Sequence, residues 1–273
     1  MTILVVGAAG ETAGLVVPAL VERGASVRGL VRKPEQIQRA KDRGASEVMV
    51  GDLANPESLD AALADIESVF HIGPVFAPNE VQMGLNMIQA AQRAGVGTLV
   101  FSSVIHPILE LPNHAAKALV ERALVSSRMK YTILHPTMLF QNYAQSWASI
   151  LETGVLAEPW ASETRFSRVD YRDVADVAAI ALTEDRLAYG TFELCAPGFQ
   201  SRQEVAAILA EVLGREIGVS TVDRATLTHA PGDMITMFEH YDHAGLLGSA
   251  LPLRTILGRE PRTLRSYFEE LAQ

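Results

Sequence analysis

Near its start the chain reads Gly7-Ala8-Ala9-Gly10-Glu11-Thr12-Ala13-Gly14. Glycines at this spacing let a backbone turn tightly and bring its amides close to a pyrophosphate at the start of a helix. The pattern is G-x-x-G-x-x-A followed at once by Gly14, not the G-x-G-x-x-G of simple dehydrogenases. Gly7, Ala9, Gly10, Glu11 and Thr12 are the candidate phosphate contacts. A ligand-free turn is the competing reading, and the position after a strand and before a helix argues against it. About 20 residues further on, an NAD site places Asp or Glu on the ribose hydroxyl. This chain has Val31-Arg32-Lys33 there. A guanidinium can clasp a 2′-phosphate through paired hydrogen bonds, so the expected cofactor is NADP(H), with Arg32 and Lys33 on the phosphate. Arg28 is less favourably directed along its strand. Asp52 and Leu53 follow a third strand, where a carboxylate can accept from the adenine amino group or simply cap a helix.

These residues need a frame. Short β-branched runs at 3–6, 27–31, 47–50, 69–72, 98–102 and 131–134 alternate with amphipathic stretches at 15–23, 34–42, 56–64, 79–94 and 113–128. Pro34 and Pro56 suit first-turn positions, and Asn55 suits an N-cap. Near-continuous apolar strands separated by helices imply a parallel sheet covered on both faces. The fold class is α/β, a Rossmann-type doubly wound parallel sheet with a small C-terminal α/β lobe. Helices at 170–183 and 202–213 (Ser201 as cap), strands at 191–194 and 218–222, and a mostly helical tail from Asp233 make up the later part. The chain is expected to be one domain, residues 1–273, with a cofactor core over roughly 1–140 and a smaller substrate lobe over roughly 141–273.

Composition narrows the partners. Among 273 residues, 23 basic and 32 acidic side chains leave a net charge of −9, which argues against phosphate-backbone binding to nucleic acid. A hydrophobic share of 48% excludes disorder as the main state. The single cysteine, Cys195, cannot form an internal disulfide. No apolar run approaches the ~18 residues of a membrane span, and the apolar start meets Glu11 without a basic leader, so no signal peptide is expected. A cytoplasmic protein, monomer or homodimer, without membrane or direct nucleic-acid partners is the expectation. His240-Tyr241-Asp242-His243 has helical i, i+3 histidines but no clear third metal ligand, and exposed decoration is the better reading. There is no hydrolase elbow, no G-x-x-x-x-G-K loop and no cysteine-rich zinc site.

The chain resembles the NmrA-like family of atypical short-chain dehydrogenase/reductases, nearly end to end. The resemblance is carried by Val5-Val6-Gly7-Ala8-Ala9-Gly10, Val27-Arg28-Gly29-Leu30-Val31-Arg32, Val50-Gly51-Asp52-Leu53, Val100-Phe101-Ser102-Ser103 and Lys117. It continues in Tyr131-Thr132-Ile133-Leu134-His135-Pro136, Val169-Asp170-Tyr171-Arg172-Asp173-Val174-Ala175 and Leu257-Gly258-Arg259-Glu260-Pro261-Arg262. That family includes NADPH-dependent quinone and phenylpropanoid reductases and NADP-binding regulators without known catalysis. The resemblance implies pyrophosphate against Gly7, Gly10 and Ala13, the 2′-phosphate at Arg32 and adenine at Asp52. It puts Gly73 and Pro74 beside the inner ribose, and adds Ser102, Lys117 and Pro136 to the cofactor set. His135 stands where Arg is usual, and Ala13 where the third glycine is.

Short-chain reductases normally use Tyr-x-x-x-Lys, the Tyr giving the proton and the Lys lowering its pKa while binding the ribose. Lys117 is in place, but Asn113 stands four residues earlier, and none of the four lysines has a Tyr at that spacing. Two designs fit. In the first, Lys117 orients the ribose, substrates that accept hydride readily need less acid help, and His114, three residues before Lys117, is the candidate proton donor. Tyr143 and His135 are weaker candidates for that role. In the second, nothing turns over and the chain reports NADPH status to a protein partner. A small apolar or aromatic substrate is expected, a carbonyl, conjugated carbonyl or quinone. Met138, Phe140, Asn142, Tyr143 and Trp147 would line its cleft, with Met234, Met237, Phe238 and Tyr241 opposite. The competing reading is that these side chains are ordinary core.

Overall fold

The computed structural model describes residues 1–273. In chain order the elements are β1 (Thr2–Val6), α1 (Val16–Glu22), β2 (Ser26–Val31), α2 (Ile37–Asp42), β3 (Glu47–Val50), α3 (Pro56–Leu63), β4 (Ser68–Ile72), α4 (Glu80–Arg93), β5 (Thr98–Ser102), α5 (Pro112–Val125) and β6 (Lys130–Pro136). They continue with β7 (Met138–Leu139), α6 (Asn142–Thr153), β8 (Val155–Glu158), β9 (Arg168–Val169), α7 (Tyr171–Thr183) and β10 (Gly190–Leu194). The last are α8 (Arg202–Leu213), β11 (Gly218–Thr221), α9 (Gly232–Tyr241), α10 (Leu251–Leu257) and α11 (Leu264–Leu271). The chain groups into two compact units. The first holds residues 1–109, 114–135 and 174–192; the second holds 110–113, 136–173 and 193–273.

The first unit is built on a seven-stranded sheet of order β10-β6-β5-β4-β1-β2-β3, in which β1 to β6 pair parallel. Ile3, Leu4, Val5 and Val6 are all buried, as both faces of a parallel sheet must be when helices cover them. Leu4, Val69, Leu99 and Phe101 pack with Met87 of α4 and Leu124 of α5 in one core cluster. Asn55 caps α3 by accepting from the Glu57 amide, with Pro56 in the first turn, as the sequence predicts. The expected helix over 34–42 divides: Pro34–Gln36 forms a 3-10 turn that runs into α2. The Arg28 guanidinium bonds Glu47 and the carbonyls of Ala62 and Ala64, so it is spent on tying β2 to its neighbours.

The second unit has its own core, where Phe140, Tyr143, Ile150, Leu156, Leu209 and Phe268 are buried together. Ser201 caps α8 through a reciprocal pair with Glu204, matching expectation. The helix expected from 170 begins one residue later, because the Asp170 carboxylate accepts the Arg172 amide and stands outside the first turn. Three short strands were not legible: β8 pairs with β11, and two-residue β7 pairs with β9, all parallel. No helix is long and apolar enough to cross a membrane.

Candidate functional site

The glycine loop leaves β1 by a turn that only glycine enters without strain, with Gly7 at φ +72°. The amides of Gly7 and Ala8 donate to the Leu30 carbonyl, at 2.9 and 3.3 Å, which pins the loop to β2. The Gly10 amide donates to the Gly7 carbonyl at 2.7 Å, and a Cβ at Gly10 would lie 3.1 Å from that oxygen. The amides of Ala9, Glu11 and Thr12 find no protein acceptor. Uncommitted amides on a tight turn are donors available to an anion.

Around this loop lie cations that sequence reasoning passed over. Arg43 donates to the carbonyls of Ala8 and Gly10, and its Nη2 lies 3.6 Å from Glu11. Arg39 pairs directly with Glu11. The Arg39 hydrogen bond holds the Glu11 carboxyl below its ordinary range, against a smaller opposing effect of burial. Arg39 and Arg43 are four residues apart, at the end of and just past α2, a spacing that puts both on one side; that was the available signal. Arg32, by contrast, is exposed at the end of β2, and its guanidinium makes no bond to the protein. The amides of Arg32 and Lys33 both donate to Gln36 Oε1, fixing the turn that presents them. The Asp52 carboxylate accepts the Ala54 amide at 2.9 Å, and the Leu53 carbonyl accepts from Asn86. Asp52 thus organises its own turn whatever else it binds.

Further along the same edge, Gly73 follows β4 and Ser102 ends β5. Lys117, on α5, is 7% exposed and forms an ion pair with Glu80, the first residue of α4, itself 5% exposed. Glu80 lies so close to Gly73 that a Cβ there would come within 3.1 Å of its Oε1. His71 in β4 is wholly buried, stacked on Phe101 at 5.5 Å, with neither ring nitrogen bonded. Burial first, and the Lys117 charge second, push its pKa down to about 3.

His114 is fully buried, with Nδ1 3.0 Å from the His106 carbonyl. Burial lowers its basicity more than that hydrogen bond raises it, and Lys117 lowers it further. An imidazole so placed is neutral near pH 7, which counts against the proton-donor role expected of it. His135, where the family resemblance leads one to expect Arg, bonds Glu121 at 2.9 Å, and Glu121 also accepts from the Ser103 hydroxyl. Glu121 stands one turn beyond Lys117 on α5 and was not anticipated.

The residues expected to meet the substrate belong to the second unit. Phe140, Tyr143 and Trp147 are packed against α11, with ring centroids 5.8 Å from Tyr267, 5.2 Å from Phe268 and 6.1 Å from Phe268 respectively. Phe140 and Tyr143 are buried and Trp147 is half-buried against the same cluster, which favours the competing reading of ordinary core. Burial pushes the Tyr143 hydroxyl up to about 12, which leaves it protonated but a weaker acid. Met138 is half-buried in β7 and Asn142 is exposed at the start of α6. Asn113, at the position of the missing tyrosine, is buried with its Nδ2 3.5 Å from the Met237 sulfur.

Comparison with known proteins places this geometry. The NAD(P)H azoreductase of Xenophilus azovorans is 33% identical over 217 residues, 79% of this chain and 75% of that protein. A photosystem II assembly factor of Synechocystis sp. is 24% identical over 99% of this chain and 90% of its own length. The Escherichia coli NADPH-dependent quinone oxidoreductase, solved with NADPH, superposes with a TM-score of 0.87 over the whole of both chains at 22% identity. The model of the NmrA-like family matches residues 1–270, and the chain belongs to that family.

Proposed function

We infer that the chain is an NADPH-dependent oxidoreductase of the atypical short-chain dehydrogenase type, acting in the cytoplasm on a small apolar carbonyl, conjugated carbonyl or quinone. The observation that carries the reading is the anion-ready glycine loop, its three free amides standing one strand from the unbonded Arg32 guanidinium. Those features fit a dinucleotide phosphate. Gly7, Ala9, Gly10, Glu11 and Thr12 would hold its pyrophosphate, Arg32 and Lys33 its 2′-phosphate, and Asp52 and Leu53 its adenine. Gly73, Pro74, Ser102, Lys117 and Pro136 would hold the inner ribose and nicotinamide end. When bound, the cofactor supplies a hydride.

The protein's own work is to fix that ring and manage charge. Lys117 brings three N–H donors on a buried stem, suited to gripping ribose hydroxyls. With Asn113 in place of tyrosine, the site lacks the usual strong proton donor, so it suits acceptors whose reduced form spreads its charge. The azo and quinone chemistry in the names of similar proteins is of this kind.

A second reading keeps NADPH binding and drops turnover, with the chain acting through a protein partner. The missing tyrosine favours it, as does the likeness to an assembly factor. The test is NADPH oxidation by the purified protein against quinones, azo dyes, enals and ketones, with Lys117→Ala alongside. Turnover that disappears in the variant supports the reductase. Tight NADPH binding with no turnover on any compound supports the second reading.

A further inference from the structure

The Lys117–Glu80 pair joins two elements 37 residues apart in sequence. Glutamate at the first position of a helix ordinarily stays at that helix's positive end and in water. Glu80 instead turns inward. The loop after β4 makes this possible by two successive turns, the Ala77 amide donating to Pro74 and the Glu80 amide to Ala77. Gly73 completes the arrangement, because a side chain there would press on both Oε1 and Cγ of Glu80, at 3.1 and 3.3 Å. The carboxylate therefore lies against the backbone expected to meet the inner ribose, and the same Oε1 accepts from the ammonium expected to grip that ribose.

We propose that Glu80 is the positioning residue for Lys117, fixing where its ammonium stands and keeping it charged in a buried setting. The groups facing Lys117 leave this task to Glu80. From β4 comes His71, and from its own helix His114; both are buried, and neither carries negative charge. Glu121, one turn along α5, is engaged by Ser103 and His135. Without a counter-charge, a buried lysine gives up its proton more readily. The inference rests on the reading of Lys117 as a cofactor-holding residue, but its test does not need turnover.

The chain has four lysines, so protein labelled with carbon-13 in lysine gives four side-chain methylene signals, assigned through Lys117→Met. Titrating these signals follows each ammonium directly. In Glu80→Gln the Lys117 midpoint is expected to fall by about one pH unit or more, while Lys33, Lys41 and Lys130 stay in place. The NADPH dissociation constant should then begin to rise at a lower pH in the variant than in the native chain, reaching about tenfold roughly one pH unit above the variant's own midpoint. Glu80→Asp, which keeps the charge with a shorter reach, should restore the midpoint and only part of the affinity.

An unchanged Lys117 midpoint in folded Glu80→Gln overturns the proposal, even if the protein proves an active reductase. A lowered midpoint in a protein that oxidises no NADPH upholds it and leaves only the reductase reading to fall. If Glu80→Gln does not fold, the double variant Glu80→Gln/Lys117→Met decides. Recovered folding shows that the carboxylate was needed for the ammonium; continued failure shows a packing role and overturns the proposal.

Discussion

Replacing Arg32 with alanine isolates the contact that would separate NADPH from NADH. The guanidinium is exposed and bonded to nothing in the protein, so its removal breaks no internal contact, and the melting temperature should stay within about 1 °C of the native value. The turn that carries it survives, since Gln36 holds the backbone amides of residues 32 and 33 and not the side chain. A hydrogen bond to a charged partner contributes about 1.5–3 kcal/mol. Solvent exposure puts this one near the lower end, about 1.5–2 kcal/mol, or about 10- to 30-fold in the NADPH dissociation constant. NADH has no 2′-phosphate and should bind the variant as before. Nucleotide titration followed by fluorescence gives both constants, and repeating it at higher salt should weaken NADPH binding more in the native chain than in the variant. Arg39→Ala is the internal control: that guanidinium is already paired with Glu11, and losing it should alter the NADPH-to-NADH ratio less. An unchanged ratio in Arg32→Ala would falsify the phosphate assignment, and a large change in Arg39→Ala alone would move the subsite to the end of α2.

Two further outcomes follow from buried groups. His114→Gln breaks the Nδ1 contact with the His106 carbonyl and should lower unfolding stability by about 1–3 kcal/mol in urea titrations while sparing turnover per folded molecule; a loss of about a hundredfold in turnover at intact stability would restore His114 as the proton donor. Burial raises the Asp170 pKa, but hydrogen bonds from the Arg172 side chain and amide and from Gln141 outweigh it and hold the carboxyl below its ordinary value. Its stabilising contribution is therefore complete above the unfolded value of about 3.9 and drains away as pH falls through the lower native value. Asp170→Asn should be less stable than the native chain at pH 7, with the gap narrowing in that acid window; a gap of constant size would show that ionisation of Asp170 is not what stabilises.

Much of this was legible in the residues, and the boundary of legibility is physical. Strands β1 and β5 announce themselves because a parallel sheet buried on both faces needs unbroken apolar runs, and Asn55 and Ser201 mark helix starts because their side chains bond locally. Local interactions write themselves into local sequence. Strands β7 and β9 did not, being two residues each and held only by pairing with each other. Tyr143 and Trp147 stay ambiguous in the sequence because helix spacing says that a face is apolar without saying what covers it, and Phe140 stands just before that helix. Glu80 and Glu121 escaped for a different reason. An acid on a helix reads as a solvated surface group until the chain brings Lys117 or His135 to it, and sequence spacing carries no trace of that meeting.

The inward turn of Glu80 also bears on what such a site can reduce. In a Tyr-Lys site the lysine's unbalanced positive charge helps the phenol give up its proton and favours negative charge developing on the substrate oxygen. Here the charge of Lys117 is met by Glu80, and the neighbouring imidazoles of His71 and His114 are neutral at pH 7. The buried centre is thus close to net neutral. On the proposed reading it would orient a ribose, but it would offer little field to stabilise a localised alkoxide. Acceptors that disperse the incoming electron pair over a conjugated ring depend least on that field. In the substrate panel, quinones should therefore outrun enals, and enals should outrun simple ketones. A simple ketone reduced as fast as a quinone would mean that a strong acid lies in the site after all, and that the pairing of Lys117 with Glu80 does not govern its chemistry.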